Sequence, residues 1–191
     1  MKIMSYVSRG FEGKVVEVEA DLRRGIPGIE IVGLPDVAVR EARERVRAAL
    51  RNSGFTVPRE RILINLAPAG VKKEGASFDL SIAVAIVLAS GQVTLPRSAT
   101  GLLVVGELEL SGHVRSVDGV IAAVASARTA GLRHALVPSE NLGEAETVEG
   151  TKAYGISSLA RLPFVAAELL HGLHGEPVRQ RTDRAARAVR R

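Results

Sequence analysis

The stretch Gly33-Leu34-Pro35-Asp36-Val37-Ala38-Val39-Arg40-Glu41-Ala42-Arg43-Glu44-Arg45-Val46-Arg47-Ala48-Ala49 decides how the rest of this sequence is read. Val39, Ala42, Val46, Ala49 and Leu50 recur at helical spacing, which predicts one buried stripe on an otherwise charged helix. Asp36 stands where an N-cap belongs: its carboxylate accepts from free backbone N–H groups and favours the positive helix end. Gly54 fits the stop. Working outward, Glu30-Ile31-Val32 before the helix and Arg61 to Leu66 after it are short, β-rich runs, the second broken by Ala67-Pro68-Ala69-Gly70. Further upstream, Lys14 to Leu22 alternates, with Val16, Val18, Ala20 and Leu22 on one face and Glu17, Glu19 and Asp21 on the other. Tyr6-Val7 is an earlier strand, with Gly10 and Gly13 at the turn between them.

Downstream, a polar loop from Lys72 to Ser77 leads into an apolar helix that stops at Ser90-Gly91. Leu102 to Glu109 and His113 to Val117 read as a hairpin around Ser111-Gly112. An Ala-rich helix over Val120 to Thr129, a buried strand at Ala135-Leu136-Val137, a last strand at Thr151 to Ile156 and a last helix at Leu162 to Leu170 follow. Strands alternating with helices predict an α/β or α+β two-layer domain over residues 1–172. Residues 173–191 read as a basic Arg-rich tail or linker.

Composition narrows the chemistry. The 191 residues carry 46% hydrophobic and 25% charged side chains, which is the globular range. There is no cysteine, so disulfides, thiolate catalysis and Cys-ligated metal sites are excluded. Met1 to Gly10 contains no apolar run and Ile82 to Ala89 is too short to span a bilayer, so the expectation is a cytoplasmic protein without membrane contact. The net charge of +5 is concentrated at the end, where Glu176 to Arg191 holds six Arg against one Glu and one Asp. Six aromatic residues are too few for a surface that stacks successive bases.

Arg40, Arg43, Arg47 and Arg51 fall on one helix face and form a stripe able to grip phosphates. Asp36, Glu41 and Glu44 offer competing partners, such as Glu44 with Arg47, so a salt-bridged solvated face or a subunit contact is the other reading. Arg179, Arg181 and Arg184 in the tail are further candidates for non-specific DNA contact, against a plain linker. His171 and His174 have the spacing of a metal pair, but Glu168 and Glu176 are the sole further ligand candidates near them; the pair reads as a solvated helix end, and no metal site is assigned.

Three segments together carry a family likeness. They are the opening stretch; Ile64-Asn65-Leu66-Ala67-Pro68-Ala69-Gly70-Val71-Lys72-Lys73-Glu74-Gly75-Ala76-Ser77-Phe78-Asp79-Leu80; and Gly106-Glu107-Leu108 followed by Gly112-His113-Val114-Arg115. Over about residues 1 to 170 the chain resembles the N-terminal, ChlI-type domain of the ComM/YifB family of magnesium-chelatase-related AAA+ proteins. Ser81 stands where that family usually has Pro. The resemblance implies a Lon protease-like fold, the ribosomal protein S5 domain 2-like arrangement. It also implies a parent ATPase that promotes DNA branch migration, recombination and natural transformation, with this domain as a scaffold or DNA-contacting layer. An AAA+ module in cis or trans would supply ATP and magnesium, and full-length proteins of this kind would assemble as homo-hexamers. No Gly-x-x-x-x-Gly-Lys-Ser/Thr run occurs in these residues, so no cofactor is expected here.

A more distant similarity to the proteolytic domain of Lon places Ser77, in Gly75-Ala76-Ser77-Phe78-Asp79, at the nucleophile position. It places Ile121, in Asp118-Gly119-Val120-Ile121, at the position of the lysine base. A serine hydroxyl needs a neighbouring base, and isoleucine cannot accept a proton. Asp79, standing in place of the Lon glycine, is expected to crowd the loop and set a negative charge near any oxyanion. Lys72 or Lys73 would have to fold back to rescue the serine. These features predict a non-catalytic, pseudo-protease domain. The competing reading is an ATP-dependent serine peptidase.

Overall fold

The computed structural model describes residues 2–9, 12–96, 99 and 101–172; Arg179, Arg181, Arg184, His174 and the rest of the tail lie outside the described residues. The strands are β1 (Ile3–Arg9), β2 (Glu12–Arg23), β3 (Gly28–Val32), β4 (Arg61–Ala67), β5 (Leu103–Val104), β6 (Glu107–Leu108), β7 (Val114–Arg115), β8 (His134–Pro138) and β9 (Lys152–Ile156). The helices are α1 (Val37–Asn52), α2 (Asp79–Ala89), α3 (Val120–Thr129), α4 (Leu142–Glu146) and α5 (Leu162–Gly172). Seven strands make one mixed sheet in the order β3-β4-β2-β1-β5-β8-β9, and β6 with β7 forms a separate hairpin. β2 runs antiparallel to both β1 and β4, while the other neighbours in the large sheet are parallel. The fold is mixed α/β with a mostly parallel sheet.

The buried residues of α1 are Val39, Ala42, Val46, Ala49 and Leu50, the stripe its spacing predicts. They pack with Val16 and Val18 of β2, Ile62, Ile64 and Leu66 of β4, and α2 in one core cluster. Every residue of α2 from Asp79 to Val87 is buried. A helix apolar on all sides is one enclosed on all sides.

The two-layer expectation is corrected in the second half of the sheet. Side chains of adjacent strand residues point to opposite faces. Val104, Leu136, Tyr154 and Ile156 join the cluster with α1, α2 and α5. Leu103, Val105, Ala135 and Val137 instead form a second cluster with Tyr6, α4 and the α3 residues Val120, Ala123, Val124 and Ala127. Here helices cover both faces.

The predicted hairpin strand Leu102 to Glu109 also divides. β5 belongs to the large sheet, and the chain then turns at Gly106 into β6. Gly106 N–H donates to the Ser77 carbonyl at 3.0 Å, and its own carbonyl accepts from Leu80 N–H at 3.0 Å. A β-carbon on Gly106 would lie 3.0 Å from Leu80 Cδ2 and 3.1 Å from Val114 Cγ1, so any larger residue would press on these two side chains at the start of α2 and in β7.

Candidate nucleic-acid interface and a serine cleft

Two of the quoted sequence segments close on each other. Asp36 Oδ1 caps α1 by accepting from Val39 N–H at 2.7 Å, and its Oδ2 accepts from Gly75 N–H at 3.2 Å. Asp36 N–H donates to the Lys73 carbonyl at 2.9 Å, and Lys73 N–H donates to the Leu34 carbonyl at 3.1 Å. The Lys73 side chain is fully buried, and its ammonium donates to the carbonyls of Gly33, at 2.7 Å, and Pro68. With no carboxylate to offset it, burial pushes the Lys73 amine below the ordinary lysine value. Lys72 instead pairs on the surface with Glu74 at 2.7 Å. Neither lysine is available to Ser77: one holds the turn into α1, the other holds its neighbour.

Ser77 opens onto a small cleft of about 100 Å³ walled by Tyr6, Ser8, Glu74, Asp118 and Val120 among others. Among the described residues, no hydrogen bond reaches its hydroxyl. Ile121 is 49% exposed and does not line this cleft. The side chains that meet the serine there are a phenol, a hydroxyl, carboxylates and hydrocarbons. Among the described residues neither carboxylate hydrogen-bonds the hydroxyl, and no lysine lines the cleft.

Asp79 corrects a sequence expectation. Its carboxylate does not face the serine loop's open side but is entirely buried beneath α1. It accepts Arg45 Nε at 2.7 Å and a second guanidinium N–H at 3.0 Å, a two-pronged pair, and also Leu108 N–H at 3.3 Å. Burial pushes the Asp79 carboxyl above its ordinary value; Arg45 and the Leu108 N–H pull against that shift. The Arg45 guanidinium is raised by the same hydrogen bond. Asp79 thus ties α2 to α1 and to β6 instead of repelling a substrate.

The arginine stripe of α1 faces outward. Arg40, Arg43 and Arg51 are exposed and Arg47 is half-buried. The expected Glu44–Arg47 pair does not form; among the described residues none of the four arginines is in an ion pair. Three shallow hollows, about 270, 460 and 410 Å³, adjoin one another and share Pro27 in their walls. Arg43, Arg47 and Arg51 line them, while Arg40 lies outside. Sequence reasoning missed Arg24 in the β2–β3 turn, and Arg59 and Arg61 at the entry to β4, which line the same hollows. Their only signal was position beside Gly- and Pro-containing turns. In all, the hollows are lined by six arginines against Glu30 and Glu44, and among the described residues only Arg61 of the six is paired, with Glu30 at 2.6 Å. Among the described residues there is no group of three or more His, Asp or Glu able to hold a metal, and no helix long and apolar enough to cross a membrane.

The family described as subunit ChlI of magnesium chelatase matches residues 18–141, from β2 to the start of α4. The chain belongs to this magnesium-chelatase-related family. YifB of Escherichia coli is 39% identical over 180 residues, covering 94% of this chain and 34% of YifB. Competence protein ComM of Haemophilus influenzae is 40% identical over 157 residues, covering 82% of this chain and 30% of ComM. Lon protease of Mycolicibacterium smegmatis is 30% identical over 146 residues, covering 73% of this chain and 18% of that protein. This ChlI-family chain therefore spans about a third of the length of its ComM and YifB relatives.

Proposed function

We propose that this chain is the Lon protease-like, ribosomal protein S5 domain 2-like domain of a ComM/YifB-type AAA+ protein, and that it holds nucleic-acid phosphates on its arginine face without catalysis of its own. The observation that carries this reading is the set of unpaired arginines, Arg24, Arg43, Arg47, Arg51 and Arg59, around one hollowed surface. Uncompensated guanidinium groups at such density repel one another unless a polyanion supplies the missing charge. In the parent protein an AAA+ module, in cis or trans, would bind ATP and magnesium and drive a homo-hexameric ring. This domain would then be the DNA-contacting layer of a cytoplasmic motor for branch migration, recombination and natural transformation. The tail residues Arg179, Arg181 and Arg184 would extend the same non-specific contact. No residue of the hollows or of the serine cleft forms a phosphate-cradling Gly-rich loop, so the nucleotide site is assigned elsewhere.

Binding to a DNA duplex should fall steeply with salt, each neutralised phosphate contributing about 0.9 to the log–log slope. Replacing Arg43, Arg47 and Arg51 together by alanine is expected to flatten that slope by about two to three. These side chains form no ion pair among the described residues, so the melting temperature should scarcely move. A fluorescence-anisotropy titration across a salt series measures this. An unchanged slope in the triple variant, or no binding by the parent chain at low salt, would sink the proposal.

The peptidase alternative rests on Ser77 and on the likeness to Lon. Against it, no described residue hydrogen-bonds the hydroxyl, and both neighbouring lysines are committed elsewhere. A fluorophosphonate probe is expected to leave Ser77 unlabelled above the level of a Ser77→Ala control. Stoichiometric labelling that the alanine variant abolishes would restore the peptidase reading.

A further inference from the structure

Between Arg24 and Pro27, at the tip of the β2–β3 turn, Ile26 is 89% exposed, the most exposed large aliphatic side chain among the described residues. An isoleucine so fully in water gains nothing for the fold. Its surroundings are unusual for a stray surface aliphatic. Arg24 precedes it, Pro27 follows it, and all three arginine-lined hollows meet at Pro27. The turn is thus an apolar point rising from the middle of a cationic surface.

We infer that Ile26 is a wedge that enters an unstacked base step of the nucleic acid held by the surrounding arginines. This rests on the nucleic-acid reading above and adds the element of the ligand the surface would recognise. Apolar side chains inserted between base pairs spend a few kcal/mol on unstacking, which is least at a step already mispaired. Isoleucine and proline are among the residues used this way. The charge pattern argues for this occupant: six arginines against two glutamates suit a polyanion, and an aliphatic tip in the wall of the hollow lined by Arg24 and Arg61 suits the flat apolar faces of its bases. A membrane surface fits less well. One isoleucine offers too little apolar area for stable anchoring, and the arginines sit in hollows rather than on a convex belt around it.

The test uses the 191-residue chain, a fully paired duplex, and the same duplex with one central mismatch flanked by 2-aminopurine. The parent chain is expected to bind the mismatched duplex about tenfold or more tightly than the paired one and to brighten the 2-aminopurine. Ile26→Ser should abolish both effects while keeping affinity for the paired duplex, its salt slope and its melting temperature; Ile26→Leu should restore them. If the parent chain binds both duplexes equally, or if Ile26→Ser keeps the preference, the wedge is overturned and the arginine interface stands. If the parent chain binds neither duplex at low salt, the interface itself falls. Ile26-dependent binding to vesicles of phosphatidylserine in place of either duplex would overturn the wedge in favour of a membrane contact.

Discussion

Arg45→Ala is expected to lower the unfolding free energy by about 3–5 kcal/mol, because it strands a fully buried carboxylate. Asp79 is 0% exposed and takes two of its hydrogen bonds from Arg45, leaving only the longer one from Leu108 N–H once the guanidinium is gone. The loss converts to a fall of about 10 °C in the melting midpoint for a domain of this size. The pH dependence has a definite sign. Asp79 is already raised above 3.8 by burial, and Arg45 is the main group opposing that rise. Removing Arg45 raises the folded-state value further. Between 3.8 and that value the folded chain binds the extra proton, so stability falls as pH rises through the window. The variant's deficit should therefore be smallest near pH 4 and grow toward neutrality. Arg45→Met with Asp79→Leu, which replaces both charges by hydrocarbon, should recover most of the stability. Urea unfolding of the parent chain, Arg45→Met, Asp79→Leu and the double variant as a double-mutant cycle, with Arg45→Ala beside them, checks this; a neutral-pH loss under about 1 kcal/mol in Arg45→Ala would refute the assignment of the pair as the tie between α1 and α2.

Gly33→Ala should be the more damaging of two superficially equal substitutions. Gly33 and Gly54 both have positive φ, +99° and +84°. That conformation alone costs an alanine about 1–2 kcal/mol. A β-carbon on Gly54 would meet open space, so Gly54→Ala should show that cost and nothing more. At Gly33 the β-carbon would lie 2.0 Å from the carbonyl oxygen of Leu66, in the interior of β4. Either β4 or the entry to α1 must move. Moving Gly33 also breaks its carbonyl's bond with the buried Lys73 ammonium, which would leave a charge without water or a full set of acceptors. The expected loss exceeds about 4 kcal/mol, a large fraction of the stability of an ordinary domain. Soluble yield and circular dichroism of the two variants decide the matter; equal melting points for Gly33→Ala and Gly54→Ala would show that the clasp is not rigid.

Local pattern made much of the fold legible. The buried positions of α1, the Asp36 cap and the alternating face of β2 all follow from a repeat of 3.6 or 2 within a few residues. Other elements left no such trace. α4 is five residues long, too short for a periodic stripe, and is anchored at its start by Asn141, which binds both backbone groups of Val117 in a distant loop. The break at Gly106 was missed because the apolar run Leu102 to Val105 and the following Gly106-Glu107-Leu108 were read as one strand. Of the candidate site, the α1 arginines were legible from their spacing, but Arg24, Arg59 and Arg61 join them only across loops.

What the sequence by itself determined is the class of fold and the identity of the family segments, since each is a matter of residue type and short-range order. What only the tertiary structure decided is where each charge ends up. Lys73 and Asp79 look like loop polars yet lie in the core, Arg45 leaves the solvent to meet Asp79, and Arg47 declines the glutamate three residues before it. Ionic partners in a folded chain are selected by burial and by distance through space, and neither of these is encoded in the interval between two residues along the chain.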